Sequence, residues 1–206
     1  GCGGDQNPYP RRKLELAKQH GQTLATAVEA GLETPKRSIN GSLRMAFATA
    51  DLEYAEAQTK EELLEQAQST NKYDQKYAER LLKEMEAGTL ISSYPAPVQV
   101  VRFGDAVLFV ALPGETVVDY SLRIKRENRQ QDGPDVWVAG YSNDVFAYIP
   151  SLRILLEGGY EAGGAMRYMT TVVQPGAFAP NVEDLLMSRI NGLIESTVTA
   201  KPAAEE

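Results

Sequence analysis

Between residues 98 and 112 the chain reads VQVVRF, then Gly104-Asp105, then AVLFVAL. Two apolar runs joined by a tight Gly-containing turn predict a β-hairpin. Both strands are apolar enough to lie inside a sheet, so the chain around them must supply neighbouring strands and covering helices. A third apolar run, VWVAG at 136–140, reads as another buried strand, and LRMAFATA at 43–50 as a further one.

The helical signals lie on either side of the hairpin. Leu14, Ala17, Leu24, Ala25, Val28 and Leu32 keep helical spacing across 13–30. Thr59 followed by Glu62 is a capping box that opens a helix through about Gln68. The next helix carries Tyr73, Tyr77, Ala78, Leu81, Leu82 and Met85, and Gly88 suits its C-terminal stop. After LPGE the pattern is helical again, with Glu115 expected at the helix start. Pro150 can begin the short helix SLRILLEG, ended by Gly158 and Gly159. Asn181 is expected to cap a last helix that buries Val182, Leu185, Leu186, Ile190, Leu193 and Ile194. Residues 1–12 read as loop and the tail 201–206 as frayed and disordered. No repeat shows. The expected fold class is α/β, a mixed sheet flanked by helices, forming one domain over 1–200.

A net charge of −7 argues against a nucleic-acid partner, because the phosphate backbone is bound through basic stripes. The single cysteine, Cys2, excludes an internal disulfide, and the single histidine, His20, excludes a His-rich metal site made by this chain alone. No apolar run approaches the ~20 residues of a membrane span. GCGGDQNPYP opens without an initiator Met and reads as chain interior.

Two strand-to-loop junctions could carry chemistry. At ALPGETVVDY a carboxylate, Glu115, follows a buried strand at a helix start, where the helix dipole keeps it ionised; it is either an oxygen ligand for a metal or a first-turn Glu that favours the helix. At YSNDVFAY a strand runs directly into Tyr141, Ser142, Asn143 and Asp144, which could tie the turn by side-chain bonds to backbone. Tyr148 and Tyr160 flank the short helix and are either binding phenols or packing rings. Cys2 sits among glycines without an evident base, and His20 falls on the polar boundary of the first helix. No phosphate loop, zinc spacing or serine elbow is present.

At these residues the sequence resembles the neutral/alkaline, non-lysosomal ceramidase family. LPGETVVDYSLRIKRE looks like that family's LPGE segment, AGYSNDVFAYIPSLRILLEGGYEAGGAM like its glycine–aromatic–Asn…Tyr…Tyr-Glu block, and GGDQNP like its Gly-Asp-x-Ser-Pro segment. The resemblance spreads from residue 1 to about 196 and implies the C-terminal half of a catalytic domain. It implies a zinc-dependent amidase that hydrolyses the N-acyl bond of ceramide or a ceramide-like amide, with metal ligands at Glu115 and Tyr148 and with Tyr160, Asp5 and Asn7 in the catalytic region. The family's two histidine ligands lie before GGDQNP, so the isolated chain is expected to bind zinc poorly and to be inactive. Asn7 stands where the family has Ser and offers no hydroxyl nucleophile. The implied partners are an N-acyl lipid or related amide, the preceding half of the same catalytic domain and the periphery of a membrane; the implied location is extracellular or periplasmic. A non-catalytic, ligand-binding relative of the family is the alternative expectation.

Overall fold

The computed structural model describes residues 1–199; the expectation for the tail lies outside them. In chain order the elements are α1 (Leu14–Leu32), β1 (Leu43–Glu53), α2 (Lys60–Gln66), α3 (Lys72–Ala87), β2 (Ser93–Phe103), β3 (Val107–Ala111), β4 (Glu115–Thr116), α4 (Val118–Glu127), β5 (Asp135–Ala139), β6 (Tyr148–Ile149), α5 (Leu152–Glu157), a 3-10 turn (Gly164–Tyr168) and α6 (Val182–Thr199). The expected α/β class and the mixed sheet flanked by helices are both present. One sheet runs β1-β2-β3-β5, with β1, β2 and β3 antiparallel and β5 parallel to β3; β4 and β6 form a separate parallel pair. The predicted hairpin is β2–β3, inside the sheet, and Gly104 turns it at φ 55°.

Local chemistry explains several boundaries. Thr59 Oγ1 accepts from the Glu62 amide at 3.3 Å while Glu62 Oε2 accepts from the Thr59 amide at 2.8 Å, closing the capping box of α2. Asn71 caps α3 through the Tyr73 amide, and Gly88 ends it at φ 69°. The core lies on one side of the sheet. Ala50, Leu52, Val98, Val100, Leu108, Val110 and Val138 point there, against Ile124 of α4 and Leu186 and Ile190 of α6. Each such aliphatic side chain contributes about 1.5–3 kcal/mol of gross burial energy.

Four expectations are corrected. Trp137, in the strand read as buried, is 61% exposed, because β5 alternates and its second face is uncovered. The periodic helix α1 exists but has no buried residue. Asn181 does not cap α6 with its side chain: its Nδ2 donates to Glu53 Oε2 at 2.8 Å, and its buried Oδ1 has no protein partner. Ser151, rather than Pro150, sets the start of α5, accepting from the Ile154 amide at 3.3 Å.

The uncovered face has a definite composition. Met45, Val101, Phe109 and Trp137 are register partners in one row across all four strands, with Leu43 and Phe47 alongside Met45 on β1. Among the described residues no helix is long and apolar enough to cross a membrane.

Candidate functional site

Gly114 adopts φ 64°, and a Cβ there would stand 2.5 Å from the Ala147 carbonyl. That close approach lets the chain leave β3, turn, and lay Glu115 beside the segment that ends in Tyr148. Glu115 is therefore not in the first turn of a helix, as its sequence context predicts, but in β4, three residues ahead of α4. In the parallel ladder Glu115 is the register partner of Tyr148 and Thr116 that of Ile149. The Glu115 amide donates to the Ala147 carbonyl at 2.9 Å and the Val117 amide to the Ile149 carbonyl at 3.2 Å. Two further bonds brace the pair: Thr116 Oγ1 donates to the Pro113 carbonyl at 2.7 Å, and Tyr120 OH donates to the Pro150 carbonyl at 3.0 Å. Carboxylate and phenol are thus juxtaposed by backbone geometry, about one strand spacing (~4.8 Å) apart at the backbone.

Phenols surround this carboxylate. Tyr141 OH donates to Glu115 Oε2 at 2.9 Å. The Tyr148 ring meets the Tyr160 ring edge-on with centroids 5.5 Å apart. Burial first, and then the Glu115 carboxylate beside it, pushes the Tyr148 phenol well above its ordinary value. Tyr141 is raised by the same two causes in the same order. At neutral pH both are hydrogen-bond donors facing an acceptor.

The amino-terminal segment lies against the same pair. The Gly4 amide donates to the Thr116 carbonyl at 3.2 Å, and a Cβ on Gly4 would come within 2.4 Å of the Glu115 carbonyl oxygen and 3.3 Å of the Tyr148 ring. Asp5 Oδ1 accepts from the Val118 amide at 2.8 Å, which supplies the cap that Val117 cannot give α4. The Asp5 carboxylate is thereby committed to the helix. Asn7 is exposed and its Oδ1 accepts from Arg11 at 2.6 Å. Of the residues singled out from sequence, Glu115, Tyr148 and Tyr160 form one cluster and Asp5 adjoins it, whereas Asn7 faces Arg11.

Tyr141 is the member that sequence reading assigned to the turn. It adopts φ 55° and Asn143 adopts φ 68°, an unusual pair for residues with a Cβ. Asp144 also looks outward from the turn, accepting from Tyr94 OH at 2.6 Å; burial and that carboxylate push Tyr94 up to about 12. Ser142 alone makes the predicted local bond, to the Gly140 carbonyl at 3.1 Å.

Glu115 is a carboxylate of the kind zinc takes as an oxygen ligand, and Tyr148, its register partner in the ladder, places a phenol beside it. The chain's histidine is no candidate for the other side: His20 lies on α1 with Nε2 at 2.8 Å from the Pro10 carbonyl. Among the described residues no group of three or more His, Cys, Asp and Glu is placed to hold a metal. Cys2 is buried and its thiol is pushed up to about 11, chiefly by that burial, so it packs as a protonated side chain.

Comparison with family models, with curated proteins and with solved structures returned no match for this chain.

Proposed function

We propose that the chain is part of a ceramidase-like, zinc-dependent amidase and supplies one side of its active site. The observation that carries this reading is the register pairing of Glu115 with Tyr148, with Tyr141 bonded to the same carboxylate and Tyr160 packed on the same phenol. Glu115 and Tyr148 are the residues that would hold the metal, with nitrogen donors contributed from outside this stretch. Zinc, when bound, supplies Lewis acidity toward an amide carbonyl and brings the pKa of water to about 7.

The chain's own residues have separate tasks. Glu115 presents its carboxylate in β4, and the Tyr141 hydroxyl holds one of its oxygens in place. With Tyr141 donating to Glu115 and Tyr148 assigned to the metal, Tyr160 is the phenol of the cluster left to donate to the oxygen on which charge develops during amide cleavage. Asp5, through the Val118 amide, fixes the segment carrying Gly4 against the ladder and so acts by positioning.

The uncovered apolar row Met45–Val101–Phe109–Trp137, together with α1, supports placing the preceding half of the catalytic domain on this side of the sheet. A substrate of the N-acyl lipid class, peripheral membrane contact and an extracellular or periplasmic location belong to the same reading.

The test is Glu115→Ala in the full-length protein. Loss of bound zinc together with loss of hydrolysis of N-acyl amides is expected; wild-type hydrolysis in that variant would overturn the reading. The engagement of Asn7 with Arg11, where a hydroxyl would be needed for a serine-type nucleophile, favours a second reading: a non-catalytic, ligand-binding member of the same family. Full-length protein that retains zinc and cleaves no N-acyl amide in a broad panel would select it.

A further inference from the structure

Tyr148 is the first ring of a series. Its neighbour Tyr160 lies 6.0 Å by centroid from Tyr168, and Tyr168 lies 5.0 Å from Tyr73 in an edge-on contact. Tyr160, Tyr168 and Tyr73 are 48%, 41% and 59% exposed, so the series forms an open aromatic surface and not a core. It begins at the Glu115 carboxylate and ends in a recess of about 410 Å³ lined by Tyr73, Lys76, Arg80, Arg167, Tyr168 and Thr170.

The recess is positive although the chain as a whole is acidic. Tyr73, Lys76 and Arg80 follow one another by three and four residues on α3 and so share one helix face. The 3-10 turn forms the facing wall. Arg167 is held there by Asp74 and by the Gly164 carbonyl at 3.0 Å, with its guanidinium 5.9 Å from the Tyr168 ring centroid. Among the described residues neither Lys76 nor Arg80 enters an ion pair. Asp74 offsets the charge of Arg167, so the uncompensated cations of the lining are Lys76 and Arg80. Like charges gathered beside aromatic faces repel one another, and an anion seated among them removes that cost.

We propose that this recess binds an anionic group of phosphate type, carried on a substrate whose chain lies over Tyr168 and Tyr160 and whose amide reaches Glu115. The aromatic surface suits an aliphatic or otherwise apolar spacer, which gains burial against the rings without directional bonds. The cationic end attracts the anion, and it is this end that fixes where the charged group lies. The substrate class is therefore an acidic N-acyl amide. The assignment of the amide end rests on the amidase reading; the anion site does not.

The experiment measures binding to the full chain, without turnover, of N-acetyl-8-aminooctyl phosphate and of its uncharged counterpart N-acetyl-8-aminooctanol. Inorganic phosphate serves as the third probe, separating a tethered anion from a free one. The phosphate amide is expected to bind at least about tenfold more tightly than the alcohol. That preference should shrink as salt is raised and vanish in a Lys76→Ala/Arg80→Ala double variant, while Lys76→Arg keeps it. Equal binding of the two amides, a preference that survives the double substitution, or inorganic phosphate binding as tightly as the tethered phosphate would each overturn the proposal. Hydrolysis is not among the readouts. An anion preference in a protein that cleaves no amide would leave this site standing and the amidase reading fallen.

Discussion

Tyr148 carries two roles that pull its proton in one direction. Its ring is partly buried against Tyr160 and its hydroxyl faces Glu115, so ionisation would place a second negative charge beside the first. Tyr141 shares the carboxylate and is raised for the same reasons. In NMR titration of Tyr Cζ, both are expected to ionise above the ordinary value of about 10. Removing the charge with Glu115→Gln should move both downward; no movement in either would mean that the carboxylate does not face them. Because these folded values lie above the unfolded one, the stability they contribute is fully present below about pH 10 and is lost as pH rises toward the folded values. The residue identities were legible: a carboxylate after a buried strand and a tyrosine after a polar turn both drew attention. The part of Tyr141 was not, since a phenol that adopts φ 55° beside Ser, Asn and Asp looks like turn chemistry until a partner 26 positions away is in place.

At the scale of elements, the helices themselves were readable from periodicity, but their caps were readable only where the capping residue is local. Thr59 with Glu62 satisfies α2 within three residues and Gly88 stops α3 where its sequence position says, so those signals sufficed. Asn181 carries the same signal, yet Glu53 takes its amide from another part of the chain. Conversely α4 begins at Val117, which has no capping side chain, and receives its cap from Asp5, 113 positions earlier. Asp5→Ala should cost about 1 kcal/mol, a fall in Tm of roughly 2–4 °C for a chain of this size. It should also speed amide exchange both at the α4 start and around Gly4, because one hydrogen bond holds the two segments together. Faster exchange at only one of these places would show that they are not coupled through Asp5.

Over the whole molecule, the sheet has helices on one face and an apolar row on the other. Contiguous exposed apolar surface of this kind promotes association of whatever carries it. The chain by itself is expected to self-associate in sedimentation experiments. Met45→Lys/Trp137→Lys should reduce that association while changing stability by less than about 0.5 kcal/mol, since both side chains are already mostly exposed. Unchanged association in the double variant would mean that the row is not what brings the copies together. VWVAG reads as a buried strand because Val136, Trp137 and Val138 are all apolar. Alternation along a strand sends Trp137 to the opposite face from its neighbours, and only the placement of α4 and α6 decides which face is covered.

The sequence by itself determined the α/β class, the hairpin at the sheet centre, the capping box of α2 and the Gly88 stop of α3, because each is written in propensity, periodicity or a motif spanning a few positions, whereas Glu115 and Tyr148 were paired only by the family resemblance. Tertiary structure alone decided that β5 joins the sheet parallel to β3, that Gly114 and Gly4 bring three segments to within van der Waals reach, and that four tyrosines from three parts of the chain line up between a carboxylate and a set of cations. The physical reason is the range of the interactions. Caps, turns and strand alternation are fixed by neighbours along the backbone, whereas a ladder register and a ring-to-ring contact exist only after distant segments have been packed against the same core.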